Sequence, residues 1–187
     1  MIIAAAARPP GPALAVALAR AGARVVALDP DADALGAIAT HVPERIETLT
    51  LDPSDRTALA RLSGAWGDTH IDLVINLMPL NLPVDINAQM RGLTVLVRHS
   101  ARGLIRGQGG FVTLAARPTD ALALMGQGLV AALGAGTTAL NTALNPRGVR
   151  FYTVTVPSDA PEVAHDLLVQ LAQTPRLHLR GGQHDLD

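Results

Sequence analysis

Cysteine and lysine are both absent from this 187-residue chain, and aromatic side chains make up only 2% of it. Without cysteine there is no disulfide, no thiolate metal site and no thiol nucleophile. The whole aromatic set is Trp66, Phe111, Phe151 and Tyr152, so platforms for stacking nucleobases are missing and the core must be built from Ala, Leu, Val and Ile. All 15 basic residues are arginine, the formal net charge is −1, and the arginines are scattered along the sequence. No extended basic face is expected, which argues against nucleic acid as a partner. Long apolar runs are lacking too. None approaches the roughly 20 residues a membrane span needs, and the apolar start, residues 1–7, carries no basic leader. No membrane partner and a cytoplasmic location are the expectations.

What is present is an alternation. A hydrophobic content of 49% with 17% charged residues suits one buried-sheet domain over residues 1–187. Short apolar runs over 1–6, 24–28, 47–51, 73–76, 110–114, 149–156 and near 184–187 read as buried parallel strands. Between them, helical periodicity covers 11–21, 31–39, 54–64, 84–106, 120–145 and 160–173. This predicts an α/β fold: a single doubly wound, Rossmann-like parallel sheet of about seven strands, with helices on both faces and right-handed crossovers. Ser54 is the expected N-cap of the third helix, and Gly22 the expected left-handed residue after the first.

Several segments, in order, resemble the short-chain dehydrogenase/reductase family. Ala19-Arg20-Ala21-Gly22-Ala23-Arg24-Val25-Val26 with Asp29 is similar to that family's first helix and second strand. Leu51-Asp52 resembles the strand end that contacts adenine, and Ile71 to Asn76 the fourth strand with its terminal asparagine. Asn145 to Arg150 and Gly182-Gln183 resemble the entry to the sixth strand and the closing strand. The resemblance implies a cofactor crevice around Gly11, Asp29, Asp52 and Asn76, with NAD(H) or NADP(H) as the ligand if any is bound.

The departures from the family are more informative. Its glycine-rich turn aligns with Ala4-Ala5-Ala6-Ala7-Arg8-Pro9-Pro10-Gly11, where only Gly11 survives. A pyrophosphate is held by backbone N–H groups at a helix start, and Pro9 and Pro10 have none to offer. No cofactor is therefore the leading expectation. The family's catalytic asparagine, serine, tyrosine and lysine align with Gln89, Ala116, Gly126 and Val130. A phenol with a pKa of about 10 needs a neighbouring cation to work near neutrality, and here neither phenol nor lysine stands at its place. No catalytic residue is expected. Tyr152 is no substitute, since it belongs to the sixth strand. Only Ser158-Asp159-Ala160 separate that strand from the next helix, where the family carries a substrate lid.

Asp29-Pro30 and Asp52-Pro53-Ser54 also read as ordinary turns, and Asn76 before Leu77-Met78-Pro79 as structural. The six histidines show no compact ligand spacing, so no metal site is expected. His178 and His184, with Gly181, Gly182, Asp185 and Asp187, read as a solvated tail. No Gly-x-Ser-x-Gly elbow supports hydrolysis.

Arg98, Arg102 and Arg106 recur on the fourth helix opposite an apolar side of Leu93, Leu96, Val97 and Leu104; the next helix adds Leu129, Leu133 and the glycines 126, 128, 134 and 136. In the family the two corresponding helices pair across a twofold axis, so these apolar residues are the expected subunit interface, the glycines permitting close packing. The resulting expectation is a non-catalytic short-chain-dehydrogenase-like subunit that forms a homodimer or a heteromer with a catalytically intact relative. A nucleotide- or small-ligand-binding sensor is the alternative, and an NAD(P)-dependent oxidoreductase with an atypical site is a further one.

Overall fold

The alternating pattern folds into seven parallel strands in one sheet, ordered β3-β2-β1-β4-β5-β6-β7. They are β1 (Ile2–Ala4), β2 (Val25–Asp29), β3 (Ile46–Thr50), β4 (Leu73–Asn76), β5 (Gly110–Arg117), β6 (Arg150–Pro157) and β7 (Gly182–Asp185). The helices between them are α1 (Gly11–Arg20), α2 (Ala32–Ala39), α3 (Arg56–Trp66), α4 (Ile86–Gly107), α5 (Leu124–Leu144) and α6 (His165–Gln173). The computed structural model describes all residues except 67–68, 81–84, 118–122, 174–181 and 186–187.

Every residue of β1 and β4 is buried, because helices cover both faces of the sheet. Ile3 pairs with Ala27 on one side and Ile75 on the other. The few aromatics are placed centrally: Phe111 and Phe151 lie opposite each other across β5 and β6 and stack with centroids 5.4 Å apart. Elsewhere alanines such as Ala4, Ala15, Ala19 and Ala115 fill the core, allowing the helices to lie close to the sheet.

One crossover departs from the sequence expectation. α1, α2 and α6 pack together on one face, whereas α3, α4 and α5 pack on the other. The chain steps from β1 to β2 to β3 in one direction and makes all later steps in the other. A connection that reverses direction keeps its hand only if it also changes face. α3, α4 and α5 do so, but α6 returns to the face of α1, so β6-α6-β7 has the opposite hand to the rest. Its buried Leu168 and Leu171 gain cover on the flank of α1.

Two local expectations are also corrected. Asp55, not Ser54, caps α3: its Oδ1 accepts from the backbone N–H of Thr57 at 2.7 Å and of Ala58 at 3.2 Å. Ser54 instead donates to Asp52 through both its backbone N–H and its hydroxyl. His184 and Asp185 do not form a solvated tail; they lie in β7, paired with Val154 and Thr155, and His184 packs against Tyr152. His178, Gly181 and Asp187 fall outside the described residues. Gly22 takes the expected left-handed conformation, with φ 98°.

The six apolar residues expected at a subunit interface are Leu93, Leu96, Val97, Leu104, Leu129 and Leu133, and all are buried within the chain. They form the stripe that a crossover helix turns toward its sheet, so they cannot meet a partner. One glycine of α5 is explained the same way: a Cβ at Gly128 would stand 3.3 Å from Ile86 of α4, whereas one at Gly136 would make only ordinary contact with Met90. Close helix packing is real, but it lies inside the protomer.

α5 is fastened to the sheet by polar contacts. Asn141 donates from Nδ2 to the Phe151 carbonyl and accepts from the Phe151 N–H, both at 2.8 Å, one residue before β7 joins β6 at Tyr152. The hydroxyls of Thr137 and Thr153 bond at 2.6 Å in the interior. Replacing Asn141 by Ala leaves two backbone groups without partners, and urea unfolding should show a loss of about 2–4 kcal/mol against a near-neutral Ala143→Ser on the exposed side.

Candidate functional site

The order of the sheet reverses between β1 and β4, and in open α/β sheets a crevice forms at the carboxyl ends of such strands. Here a cavity of about 260 Å³ occupies that place, lined by Ala5, Arg8, Asp29, Asp52, Met78 and Gln89 among others. It brings together Asp29, Asp52 and the helix residue Gln89. Gly11 and Asn76 stand close by in sequence to its walls but do not line it.

The turn between β1 and α1 uses its own amides. Ala6 N–H donates to the Leu28 carbonyl at 3.1 Å, Ala7 N–H to Asp29 Oδ2 at 3.1 Å, and Gly11 N–H to the Arg8 carbonyl at 2.7 Å. Pro9 and Pro10 contribute no N–H. Gly11 is required by packing: a Cβ there would collide with the backbone carbonyl of Ala6. Ala5 holds the left-handed conformation, φ 61°, where glycine is the easier choice. The amide nest that a dinucleotide pyrophosphate needs is thus closed by internal bonds, and the residues present do not fit that group.

The acidic positions are similarly committed. Asp29, buried at the end of β2, also accepts from Asp31 N–H at 3.0 Å, so each of its oxygens holds a backbone donor. Asp52 Oδ1 holds Ser54 at 2.7 and 2.8 Å. Asn76 accepts from Met78 N–H at 3.2 Å, while its Nδ2 is buried without a partner. Gln89 Oε1 is likewise buried without one. Alignment alone assigns Gln89 no role beyond filling a vacated position; its place on the cavity wall follows from the first turn of α4, which the Asp85 N-cap sets.

Of the other aligned positions, Ala116 lies near the carboxyl end of β5, Gly126 in the first turn of α5 and Val130 one turn further on. Tyr152 is buried in β6, where burial pushes its phenol up, against the opposing pull of Arg150. Among the described residues no group of three potential metal ligands occurs, and no helix is long and apolar enough to cross a membrane.

A second recess, unanticipated from sequence, runs between α3 and α4. One part, about 600 Å³, is lined by Arg56, Met90, Arg91, Thr94, Val95 and Arg98, among others; the other, about 380 Å³, by Ser63, Trp66, Ile71, Arg98, His99 and Arg102. In the latter, Ser63 Oγ lies 3.0 Å from both the Ala60 carbonyl and His99 Nδ1. A hydroxyl has one proton, and with the carbonyl taking it, Nδ1 donates to Oγ and Nε2 becomes the unprotonated nitrogen. That Nε2 is buried without a partner. Burial, then the charges of Arg98 and Arg56, hold the His99 pKa below the ordinary 6.5.

The whole chain superposes on crystal structures of short-chain oxidoreductases. A metagenomic short-chain oxidoreductase in complex with NADP aligns with a TM-score of 0.75 at 20% identity, covering 100% of this chain and 96% of that one. A β-ketoacyl-[ACP] reductase from Bacteroides thetaiotaomicron gives 0.80 at 17% identity over 100% and 95% of the two chains. Serine dehydrogenase from Escherichia coli gives 0.78 at 15% identity over 99% and 95%. No protein-family model matches the sequence, and no curated protein matches it. What is shared at these identities is the fold.

The depressed pKa of His99 fixes the sign of a pH effect. Above 6.5 the ring is neutral in both folded and unfolded chains and its contribution is complete. As pH falls through 6.5 toward the lower folded value, the unfolded state binds the proton first and stability is lost. Thermal melting between pH 7.5 and 5.5, in steps of about half a unit, should show a shallower decline for His99→Gln than for the parent chain.

Proposed function

We propose that this chain is a non-catalytic short-chain-dehydrogenase-like subunit that associates with a second chain of the same fold, its own copy or a catalytically intact relative. The observation that carries this reading is the chemistry at Gln89, Ala116, Gly126 and Val130. None of the four titrates, so no acid or base is positioned to move a proton. The closed turn between β1 and α1 points the same way, since it leaves a nicotinamide cofactor without its pyrophosphate grip.

Association is supported by the outer side of α5. This helix has no charged residue along its 21 positions, and Ala131, Ala135, Thr138 and Thr142 are exposed on it. Leu124 and Met125, 73% and 58% exposed, extend the uncharged surface at its start. Small residues let a partner helix approach closely, and an uncharged face of this extent calls for cover. The contact is thus assigned to the outer row of the helix and not to the leucines beneath it.

Light scattering coupled to size exclusion should give a mass above that of one chain, for the protein alone or co-expressed with an intact dehydrogenase, and Ala135→Arg should return it to the monomer. Monomers in both settings, or an assembly indifferent to Ala135→Arg, would refute the association. Neither NAD nor NADP should move the melting temperature, and nicotinamide oxidation against a ketone panel should stay at background.

The crevice favours a second reading, a small-ligand or nucleotide sensor. Its volume of about 260 Å³ suits a nucleoside better than a dinucleotide, and the unpartnered Gln89 Oε1 offers an acceptor to a ligand donor. Adenosine or AMP at 100 times its dissociation constant should then stabilise the fold by about 2.7 kcal/mol. The absence of any shift with either compound at millimolar concentration would remove this reading and leave the first untouched.

A further inference from the structure

The arginines that are scattered in sequence are gathered by the fold. α3 and α4 lie side by side, and together they carry Arg56, Arg61, Arg91, Arg98, Arg102 and Arg106 with no acidic residue on either helix. Their scatter along the sequence does not anticipate this gathering in space. We propose that the recess between α3 and α4 is a docking groove for an acidic, amphipathic segment of a partner protein. The inference stands apart from the assembly assigned to α5, because it concerns the opposite flank of α4.

Charge is the first argument. Arg56, Arg91 and Arg98 are exposed along the groove, and none of them makes an ion pair among the described residues. The nearest acids in sequence stand at the helix starts and not along the groove: Asp55 and Asp85 cap the two helices, and Asp52 holds Ser54. Arg98 and Arg56, after burial, also disfavour the protonated form of His99 between the two helices. Along α4, Arg91 and Arg98 are separated by two turns, about 10.5 Å, and Arg98 and Arg102 by one turn, about 6 Å. A facing helix with acids two turns apart meets Arg91 and Arg98.

Shape and floor decide the kind of partner. Met90, Val95 and Ile71 give the groove an apolar lining beneath its guanidinium rim, which suits the apolar side of an amphipathic segment. The two cavities share Arg98 and together take their lining from α3 and α4, a span that suits a peptide segment. Only the half-buried Trp66 could stack on a base, which disfavours single-stranded nucleic acid.

The test uses the full chain and a fluorescein-labelled amphipathic Glu/Leu peptide of about 18 residues, roughly 27 Å as a helix. A peptide with Lys in place of Glu, a single-stranded oligonucleotide and phosphatidylserine-containing vesicles are compared with it by anisotropy or co-sedimentation. The Glu/Leu peptide should bind, and weaken by about tenfold or more from about 50 to about 300 mM salt. Arg91→Glu/Arg98→Glu should weaken it at least as much, whereas Arg20→Glu, on the other face of the sheet, should leave it unchanged. Circular dichroism and melting of the variants establish that these exposed changes preserve the fold. Equal binding of the Lys peptide, equal loss in Arg20→Glu, insensitivity to Arg91→Glu/Arg98→Glu, or stronger binding of the oligonucleotide or vesicles would each overturn the proposal.

Discussion

The Asp29 carboxylate holds the first two βα units in register with each other. One oxygen takes the amide of Ala7 in the turn after β1, and the other takes the amide of Asp31 as the chain enters α2. A buried carboxylate is tolerated only when such donors satisfy it. The two bonds fix the position and orientation of the carboxylate at the end of β2 and leave a further lone pair on each oxygen. The neighbouring turn is closed too, with Gly11 bonded to Arg8 and seated against Ala6. The fold, shared with a short-chain oxidoreductase solved in complex with NADP, is kept here with the amides of Ala6, Ala7 and Gly11 bonded inside the chain.

The same preference for internal contacts runs through the second layer. α5 packs Gly128 closely against Ile86, docks Asn141 on the β6 backbone and pairs Thr137 with Thr153. Its polar and small residues therefore serve the protomer first. The uncharged outer row is what remains exposed, and it is composed of short side chains that would permit close backbone approach.

Strand and helix periodicity made the sheet, its seven strands and the covering of both faces legible in the sequence, because burial on both sides imposes continuous apolar runs on parallel strands. The hand of the last crossover was not legible, since nothing in a local pattern records which face a helix returns to. Sequence spacing also put Leu93, Leu96, Val97, Leu104, Leu129 and Leu133 on one apolar side correctly, yet it could not say that the sheet, not a partner, occupies that side. Ser54 lost the capping role to Asp55 because both are good caps, and the choice rests on where the Asp52 turn ends. The absence of any acid in α3 and α4 was visible in the chain. Their adjacency was not, and a basic surface is a property of neighbours.

Exclusive use of arginine gives that surface an unusual permanence. A guanidinium stays protonated well beyond any physiological pH, and it does not share lysine's susceptibility to acetylation. The positive potential between α3 and α4 therefore cannot be dimmed by acidity changes or by acetyl transfer to this chain. Control over any encounter there has to be written into the opposite molecule, through the number of its carboxylates or phosphates, or into the ionic strength around them both.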